Sequence, residues 1–169
     1  MTAQQWQTTF DVNVMGTFFA CKHAIQALHA NGGGSIVVTS SATAIASARD
    51  LAPYIASKGA VNALVRALAV DLGRYGIRVN AICPLHGMSA TFYDSAASPA
   101  VGRSTEESRE WDPESTGMPL KLRRPPTLRD NANAALFFAS SESEYISGVC
   151  MPTADGGILA GFYLDRGPA

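Results

Sequence analysis

Hydrophobic positions along the chain alternate between helical and strand-like patterns. Over residues 2–30 an apolar stripe recurs at helical spacing, which predicts one long amphipathic helix. The stripe consists of Trp6, Phe10, Val14, Phe18 and Cys21. Residues 35–39 and 77–83 are short, nearly continuous apolar runs, as is typical of strands in a sheet covered on both faces. Residues 53–75 predict a helix that is apolar on several sides, so we expect it to be buried or to form an interface.

The regular pattern stops after the second strand and resumes near the end of the chain. Residues 85–126 carry five prolines among Ser and Gly, which is too long for a simple connection and predicts a lid or binding loop. A helix is then predicted over residues 127–140 and a last strand over residues 149–153. The helix residues expected to face inward are Ala132, Ala135, Leu136 and Phe138.

Composition limits the class of protein. The 169 residues are 47% hydrophobic and 16% charged, which predicts one α/β domain over residues 1–169 with extensive internal or subunit contacts. A net charge of -1 gives no reason to expect nucleic acid, an acidic substrate or a membrane surface as partner. No apolar run reaches membrane-spanning length and the first residues are polar, so we expect a cytoplasmic protein.

The three cysteines do not indicate a metal or disulfide site. Cys21, Cys83 and Cys150 are far apart, odd in number and flanked by apolar residues. No Cys-x-x-Cys pair or Cys/His cluster accompanies them. The sequence therefore predicts reduced thiols buried in the core, which is consistent with the cytosol.

Tyr54 and Lys58 form the pair with the clearest chemistry. Residues four apart on a helix share a face, so the phenol and the ammonium can point into one site. A cation beside the phenol favours the phenolate and so makes Tyr54 a candidate acid/base near neutral pH. Ser41 lies thirteen residues earlier, at the carboxyl end of the first predicted strand. Parallel α/β folds place their sites at that edge.

Five motifs occur in an order that resembles the short-chain dehydrogenase/reductase family. The strand with Ser41 and the Tyr54-x-x-x-Lys58 helix are two of them. The other three are Asp11-Val12-Asn13-Val14-Met15-Gly16, Ile77-Arg78-Val79-Asn80-Ala81-Ile82-Cys83-Pro84, and Tyr145-Ile146-Ser147-Gly148 followed by Asp155-Gly156-Gly157. The resemblance implies a Rossmann-like, doubly wound parallel sheet.

The resemblance also implies roles for four candidate catalytic residues. Tyr54 would be the general acid/base, and Lys58 would favour its phenolate and hold the hydroxyls of the nicotinamide ribose. Ser41 would donate a hydrogen bond to the substrate oxygen. Asn13 would position a water that relays protons to Lys58; from the residues alone, a mid-helix Asn without function is the favoured interpretation.

Cofactor contacts beyond Tyr54 and Lys58 are implied at Pro84 and Ser89. Ser89 keeps a hydroxyl where the family uses Thr against the nicotinamide carboxamide. Leu85 stands where the family has glycine, so the backbone there is expected to turn differently. The cofactor would be NAD or NADP, and the residue that selects between them is not in this sequence.

The glycine-rich element that holds the cofactor's pyrophosphate in this family has no counterpart here. The run Gly32-Gly33-Gly34 follows a helix and precedes a strand, whereas a phosphate loop needs the opposite order. We interpret it as a helix cap and turn. The chain thus resembles the C-terminal two thirds of a family member, truncated at the N-terminus. Its first strand would expose an unpaired edge that promotes self-association.

Three functional hypotheses follow. The first is an NAD(P)-dependent oxidoreductase acting on a small-molecule secondary alcohol or ketone, similar to the 3-oxoacyl reductases or alcohol dehydrogenases of the family. The second is a cofactor-free fragment with a structural or oligomerising role. The third is a related epimerase or dehydratase that uses the same Tyr54 and Lys58. In the family the first two helices pack against a partner subunit, which implies a homodimer or homotetramer.

Overall fold

Three parallel strands form a sheet in the part of the chain that the structure describes. A computed structural model of the chain describes residues 1–85, 122, 127–154 and 157–160. Strands β1 (Gly34–Thr39), β2 (Ile77–Pro84) and β3 (Cys150–Thr153) pair in the order β1-β2-β3. Gly34 lies opposite Ile77, and Ala81 lies opposite Cys150. The parallel α/β architecture predicted from the sequence is confirmed.

The predicted first helix is continuous but not uniform. Helix α1 (Ala3–Phe10) begins at Thr2, whose backbone N–H donates to Gln5 Oε1 over 2.8 Å and whose hydroxyl accepts from Gln5 N. A π-helical turn, Asp11–Met15, joins it to helix α2 (Gly16–Ala30). In that turn the Gly16 N–H donates to the Asp11 carbonyl, so the helix contains one wider turn at Asn13.

Two further helices complete the layers. Helix α3 (Ala52–Leu72) has Pro53 in its first turn, where the missing N–H costs nothing, and it ends in a 3-10 turn, Gly73–Tyr75. Helix α4 (Leu128–Ala139) starts from a capping box in which the Asp130 carboxylate accepts hydrogen bonds from the Thr127 N–H and hydroxyl. Both predicted helices are confirmed to within a few residues.

The core lies between β1 and β2 on one side and helices α2 and α3 on the other. Its buried members are Cys21, Ile36, Val38, Val61, Val65, Leu72, Ile77, Val79 and Ala81. Helix α4 contacts β1, β2 and β3, and its Phe138 is buried. The sheet is therefore flanked by the α2–α3 layer and by α4.

Some residues predicted to face inward are exposed. Leu136 of α4 is 66% exposed, and Ala132 is exposed as well, because only the Phe138 side of α4 meets the sheet. Trp6 and Phe18 are also exposed although both belong to the predicted stripe. Helix α1 buries no residue and α2 buries only Cys21, so the stripe meets the core at Cys21 and not along its whole length.

The glycine run after α2 forms the predicted turn. The Gly33 N–H donates to the Leu28 carbonyl over 2.9 Å, and Gly32 and Gly33 adopt φ values of +83° and +133°. A Cβ on Gly33 would lie 2.6 Å from the carbonyl oxygen of Gly76, which precedes β2. The starts of β1 and β2 therefore touch through two turns, as the Gly34 N–H donating to Gly76 O also shows.

Several sequence-based expectations fall outside the described residues. These include nearly all of the predicted lid over residues 85–126, Ser89 within it, and Asp155 and Gly156 of the last motif. Within the described ranges all three cysteines are free thiols. No helix in those ranges combines the length and the apolar character needed to cross a membrane.

Candidate active site

The candidate site lies where β1 and β2 end and α3 begins. The Ser40 N–H donates to the Ile82 carbonyl over 2.8 Å, so pairing with β2 continues one residue past β1. Ser41 follows and is only 6% exposed. The chain then enters a 3-10 turn, Ala42–Ala44, that contacts α3. Ser41 is thus held at the carboxyl edge of the sheet, as predicted.

The Ser41 hydroxyl is oriented by Thr43. Its oxygen lies 2.9 Å from Thr43 Oγ1 and accepts a hydrogen bond from the Thr43 N–H over 3.2 Å. In the contact between the two hydroxyls either oxygen can be the donor, so Ser41 is able to donate to a substrate oxygen when Thr43 donates to Ser41. Thr43 was not among the predicted site residues. A hydroxyl two residues after Ser41 was the only signal for it in the sequence.

Tyr54 and Lys58 lie on successive turns of α3, as predicted. The Lys58 Nζ lies 5.7 Å from the centre of the Tyr54 ring. The ammonium donates a hydrogen bond of 3.0 Å to the carbonyl oxygen of Thr39, the last residue of β1. Burial lowers the pKa of Lys58 below its ordinary value, and the nearby Cys83 opposes that shift. Lys58 is therefore a partly desolvated cation beside the phenol.

Ser57 connects Asn13 to the turn that carries Tyr54. The Asn13 Nδ2 donates to Ser57 Oγ over 2.9 Å, and Ser57 Oγ donates to the Tyr54 carbonyl over 2.7 Å. Ser57 is fully buried. The π turn therefore contacts α3 through Ser57, and the water relay from Asn13 to Lys58 stays a prediction. Ser57 was missed, although a polar residue on an apolar helix between Tyr54 and Lys58 was a usable signal.

A buried thiol lies behind the site on β2. Cys83 is fully buried, and its Sγ donates to the Asn62 Oδ1 over 3.8 Å. Burial, with a smaller contribution from Cys150, raises the pKa of Cys83 to about 11, and hydrogen bonding with Ser40 and Asn62 acts against this rise. Cys83 is therefore a neutral packing residue at neutral pH. Pro84, predicted to contact cofactor, follows it at the buried end of β2.

The described part of the chain thus brings four of the predicted residues to one edge. Asn13 contacts the Tyr54 turn through Ser57, Lys58 lies beside the Tyr54 ring, and Ser41 lies at the end of the strand whose last residue, Thr39, accepts from Lys58, while Ser89 falls outside the described ranges. Two hydroxyls and a cation at one site can donate a hydrogen bond to an oxygen, exchange a proton with it, and stabilise negative charge that develops on it. No group of His, Cys, Asp and Glu in the described ranges could hold a metal ion.

A parallel sheet with helices on both faces and a site at the carboxyl ends of its strands defines a Rossmann-like α/β fold. The family model described as "Enoyl-(Acyl carrier protein) reductase" matches residues 1–158. The chain belongs to the short-chain dehydrogenase/reductase family.

Curated relatives are similar over most of this chain. An "Uncharacterized oxidoreductase YxbG" from Bacillus subtilis is 37% identical over 149 residues, which are 88% of this chain and 52% of that protein. A mitochondrial borneol dehydrogenase from Lavandula x intermedia is also 37% identical, over 88% of this chain and 51% of its own length. The chain therefore spans about half the length of the curated relatives it matches.

Solved structures of similar fold are also matched over nearly all of this chain and over about half of their own length. A short-chain type dehydrogenase/reductase from Mycobacterium ulcerans superposes with a TM-score of 0.74 and 31% identity, covering 94% of this chain and 54% of the other. Acetoin dehydrogenase from Enterobacter cloacae superposes with a TM-score of 0.75 and 25% identity, covering 95% of this chain and 57% of the other.

Proposed function

We propose that this chain is the catalytic part of an NAD(P)-dependent oxidoreductase that interconverts a secondary alcohol and a ketone. The observation that carries the proposal is the Lys58 ammonium 5.7 Å from the Tyr54 ring centre, at the sheet edge where Ser41 is buried. Membership of a family whose relatives include several named dehydrogenases supports the reaction type. The alcohol/ketone class is part of the proposal.

In this proposal each side chain acts on the substrate oxygen. The Tyr54 hydroxyl gives its proton to the carbonyl oxygen in reduction and takes a proton from the alcohol in oxidation. The Ser41 hydroxyl donates a hydrogen bond to the same oxygen and stabilises the charge that develops on it. Lys58 stabilises the phenolate that Tyr54 becomes after it has released its proton.

The described residues fit one end of a nicotinamide cofactor and not the other. The Lys58 ammonium is a donor suited to ribose hydroxyls, and Tyr54 and Pro84 lie at the same sheet edge. When bound, the cofactor would supply or accept the hydride. The run Gly32-Gly33-Gly34 lies at the amino ends of the strands, where β1 begins and away from the candidate site. It therefore does not fit the pyrophosphate. Ser89 remains a proposed contact to the carboxamide.

A second candidate is a cofactor-free chain with a structural role. The poor fit to the pyrophosphate favours it. So does a relative from Xanthobacter autotrophicus that is 33% identical over 93% of this chain and is named "Inactive 2-(S)-hydroxypropyl-CoM dehydrogenase 2". Under this alternative, the exposed apolar residues Val12, Met15, Phe18 and Phe19 would form a contact between copies. A homodimer or homotetramer is proposed under both candidates.

A titration with NADH and with NADPH, followed by nicotinamide fluorescence, separates the two candidates. Saturable binding by the folded 169-residue chain supports the oxidoreductase. Lys58→Met should then weaken binding by about tenfold, which corresponds to one lost hydrogen bond to a charged group. The matched control is Lys22→Met, because Lys22 is an exposed lysine on α2.

Activity is tested next, with a panel of secondary alcohols and the preferred cofactor. Tyr54→Phe removes the proton donor without changing the ring, so turnover should fall by about a hundredfold or more while cofactor affinity changes little. A folded chain that binds neither dinucleotide would favour the structural role instead. Turnover unaffected by Tyr54→Phe would contradict the assigned proton donor.

A further inference from the structure

Thr43 places a second hydroxyl beside Ser41 that the proposed reaction does not use. The oxygens Thr43 Oγ1 and Ser41 Oγ lie 2.9 Å apart. The turn Ala42–Ala44, which carries Thr43, contacts α3 and β2 directly after the end of β1. Ala42 is buried, whereas Thr43 is half-buried, so Thr43 lies on the more open side of this turn. Two neighbouring hydroxyls thus lie together at the candidate site.

The contribution of Thr43 to the local fold comes from its backbone. Its N–H donates to Ser41 Oγ over 3.2 Å and so caps the turn. In the described part of the chain, the partner of the Thr43 hydroxyl is the Ser41 hydroxyl. A hydroxyl donates one hydrogen bond and accepts two, so the Thr43 hydroxyl keeps capacity for a further partner. Valine at this position would keep the cap and the shape of the side chain and would remove only the hydroxyl.

A bound carbonyl oxygen fixes the direction of the hydrogen bond between the two hydroxyls. Under the proposed function Ser41 donates its proton to that oxygen, so the contact between Ser41 and Thr43 then requires the proton of Thr43. Once Thr43 donates to Ser41, its oxygen can only accept from a further group. A ligand group that forms a hydrogen bond with Thr43 Oγ1 must therefore be a donor.

The 2.9 Å separation of the two hydroxyl oxygens indicates where this donor lies on the ligand. Oxygen atoms on adjacent carbons, turned to the same side, are a similar distance apart. A ketone with a hydroxyl on the adjacent carbon can thus accept from Ser41 with its carbonyl and donate to Thr43 with its hydroxyl. The three hydrogen bonds then run in one direction, and such chains strengthen one another. A second carbonyl does not fit, because neither it nor Thr43 Oγ1 would supply the proton between them.

We propose that Thr43 determines substrate specificity, and that the site takes a ketone with a hydroxyl on the adjacent carbon, or the corresponding vicinal diol. This inference rests on the proposed function and names its substrate class. In the reduction, the carbonyl carbon gains a hydride from NADH or NADPH and its oxygen gains the Tyr54 proton. The products are a vicinal diol and the oxidised dinucleotide, and the Tyr54 phenolate regains a proton from water. Thr43 recognises the adjacent hydroxyl and takes no part in these transfers.

Two probes of nearly equal shape test the recognition of the hydroxyl. Hydroxypropanone and butanone differ only in a hydroxyl that replaces a methyl group. Each is titrated into the isotope-labelled 169-residue chain, and the amide resonances of Ser41 and Thr43 report binding. Hydroxypropanone should bind about fivefold more tightly, as expected for one hydrogen bond to a half-buried hydroxyl. Equal affinity, or no saturable shift of these two resonances with hydroxypropanone, would overturn the proposal.

Matched variants assign the preference to the Thr43 hydroxyl. Thr43→Val keeps the capping N–H, and the preference for hydroxypropanone should fall below about twofold. Thr43→Ser retains a hydroxyl and should restore the preference. Thr8→Val, at an exposed threonine of α1, is the control and should leave the preference unchanged. Circular dichroism checks that each variant is folded, and Thr43→Ala is a second variant without the hydroxyl. A preference that persists in both hydroxyl-free variants would refute the role of Thr43.

Repeating the titrations with saturating NAD⁺ or NADP⁺ separates this inference from the proposed function. A preference for hydroxypropanone that neither dinucleotide affects would support recognition by Thr43 and contradict the oxidoreductase. If the chain turns over, the ratio of kcat/KM for the two ketones is compared between the unchanged chain and Thr43→Val, which cancels their difference in intrinsic reactivity. This ratio should fall by about fivefold in the variant, while kcat/KM for butanone changes little. An unchanged ratio in an active enzyme would overturn the inference and leave the proposed function intact.

Discussion

The buried hydroxyl of Ser57 takes part in two hydrogen bonds that connect elements of the candidate site. It accepts from Asn13 and donates to the Tyr54 carbonyl while being fully buried. Ser57→Ala leaves the Asn13 amide without this acceptor, and we expect the free energy of unfolding to fall by about 1–3 kcal/mol. Urea unfolding followed by circular dichroism measures it. The control Ser47→Ala, at an exposed serine, should change stability by less than about 0.5 kcal/mol. Equal effects would contradict the bridging role.

The raised pKa of the Cys83 thiol predicts how the stability of the folded protein changes at alkaline pH. Its pKa rises from an ordinary value of 9.0 to about 11 in the folded protein. Between these values the unfolded chain binds fewer protons than the folded chain, so stability falls as pH rises. Urea unfolding at a series of pH values above 9.0 should show that the free energy of unfolding falls as pH rises. Cys83→Ala should make this slope shallower by an amount that corresponds to up to about one bound proton.

The control for Cys83 is Val79→Ala, which truncates an equally buried residue of the same strand. It should lower stability at every pH and leave the alkaline slope unchanged. Cys21 and Cys150 also have raised pKa values, so part of the slope should persist in Cys83→Ala. A slope in Cys83→Ala identical to that of the unchanged chain would refute the assignment.

At the residue scale, the sequence was sufficient to predict site residues whose relative positions are set within a single helix or strand. Tyr54 and Lys58 share a helix, and the strand that ends near Ser41 could be recognised from its Val and Ile content. The hydrogen bonds that these residues make to other elements could not be predicted from the sequence. The Lys58 bond to Thr39 and the Asn13 bond to Ser57 join residues that are far apart in sequence, and only the packing of α3 on the sheet and on the first helix brings them together.

At the scale of elements, the strands and helices were predicted to within a few residues, but the π turn was not. Periodicity assumes a constant number of residues per turn, and one wider turn at Asp11–Met15 changes the phase of everything after it. Periodicity also does not show which part of a stripe has a packing partner: Trp6 and Phe18 are exposed, whereas Cys21 is buried. For α4, amphipathic spacing correctly identified Phe138 but could not show how narrow the contact with the sheet is.

Arg78 links β2 to the carboxyl end of α4. Its guanidinium donates to the Phe138 carbonyl over 2.8 Å, to the Ser140 carbonyl over 3.0 Å and to Ser143 Oγ over 2.8 Å. Arg78→Met removes all three bonds, and we expect a loss of about 2 kcal/mol or more in the free energy of unfolding. Hydrogen exchange should show α4 opening more readily, because the Phe138 and Ser140 carbonyls each lose their charged donor and keep only hydroxyl donors.

Arg78→Lys should not restore stability, because a single ammonium cannot reach three acceptors in the fixed geometry of a guanidinium. Arg129→Met, at an exposed arginine in the first turn of α4, is the control and should change stability by less than about 0.5 kcal/mol. A full rescue by lysine would show that the charge, and not the bridging geometry, matters.

For the whole molecule, two surfaces predict self-association. The π turn and α2 expose Val12, Met15, Phe18 and Phe19, with Phe19 47% exposed, and the outer edge of β1 adds unpaired peptide groups. We expect the isolated chain to be larger than a monomer by light scattering. Phe19→Asp should reduce the mass if the helix face is responsible, whereas Tyr145→Asp, at a fully exposed residue after α4, should not. A dispersed monomer would contradict the prediction.

The contact between Gly33 and Gly76 also determines where this sequence is free to change. Any side chain on Gly33 would meet a backbone oxygen at 2.6 Å, and its φ of +133° excludes other residues further. Gly59 and Gly73 have open space around them. In a randomised library selected for folding, Gly33 should therefore tolerate almost no replacement, while Gly59 and Gly73 accept alanine. Insertions should be refused in the same two turns, because an added residue would separate the starts of β1 and β2.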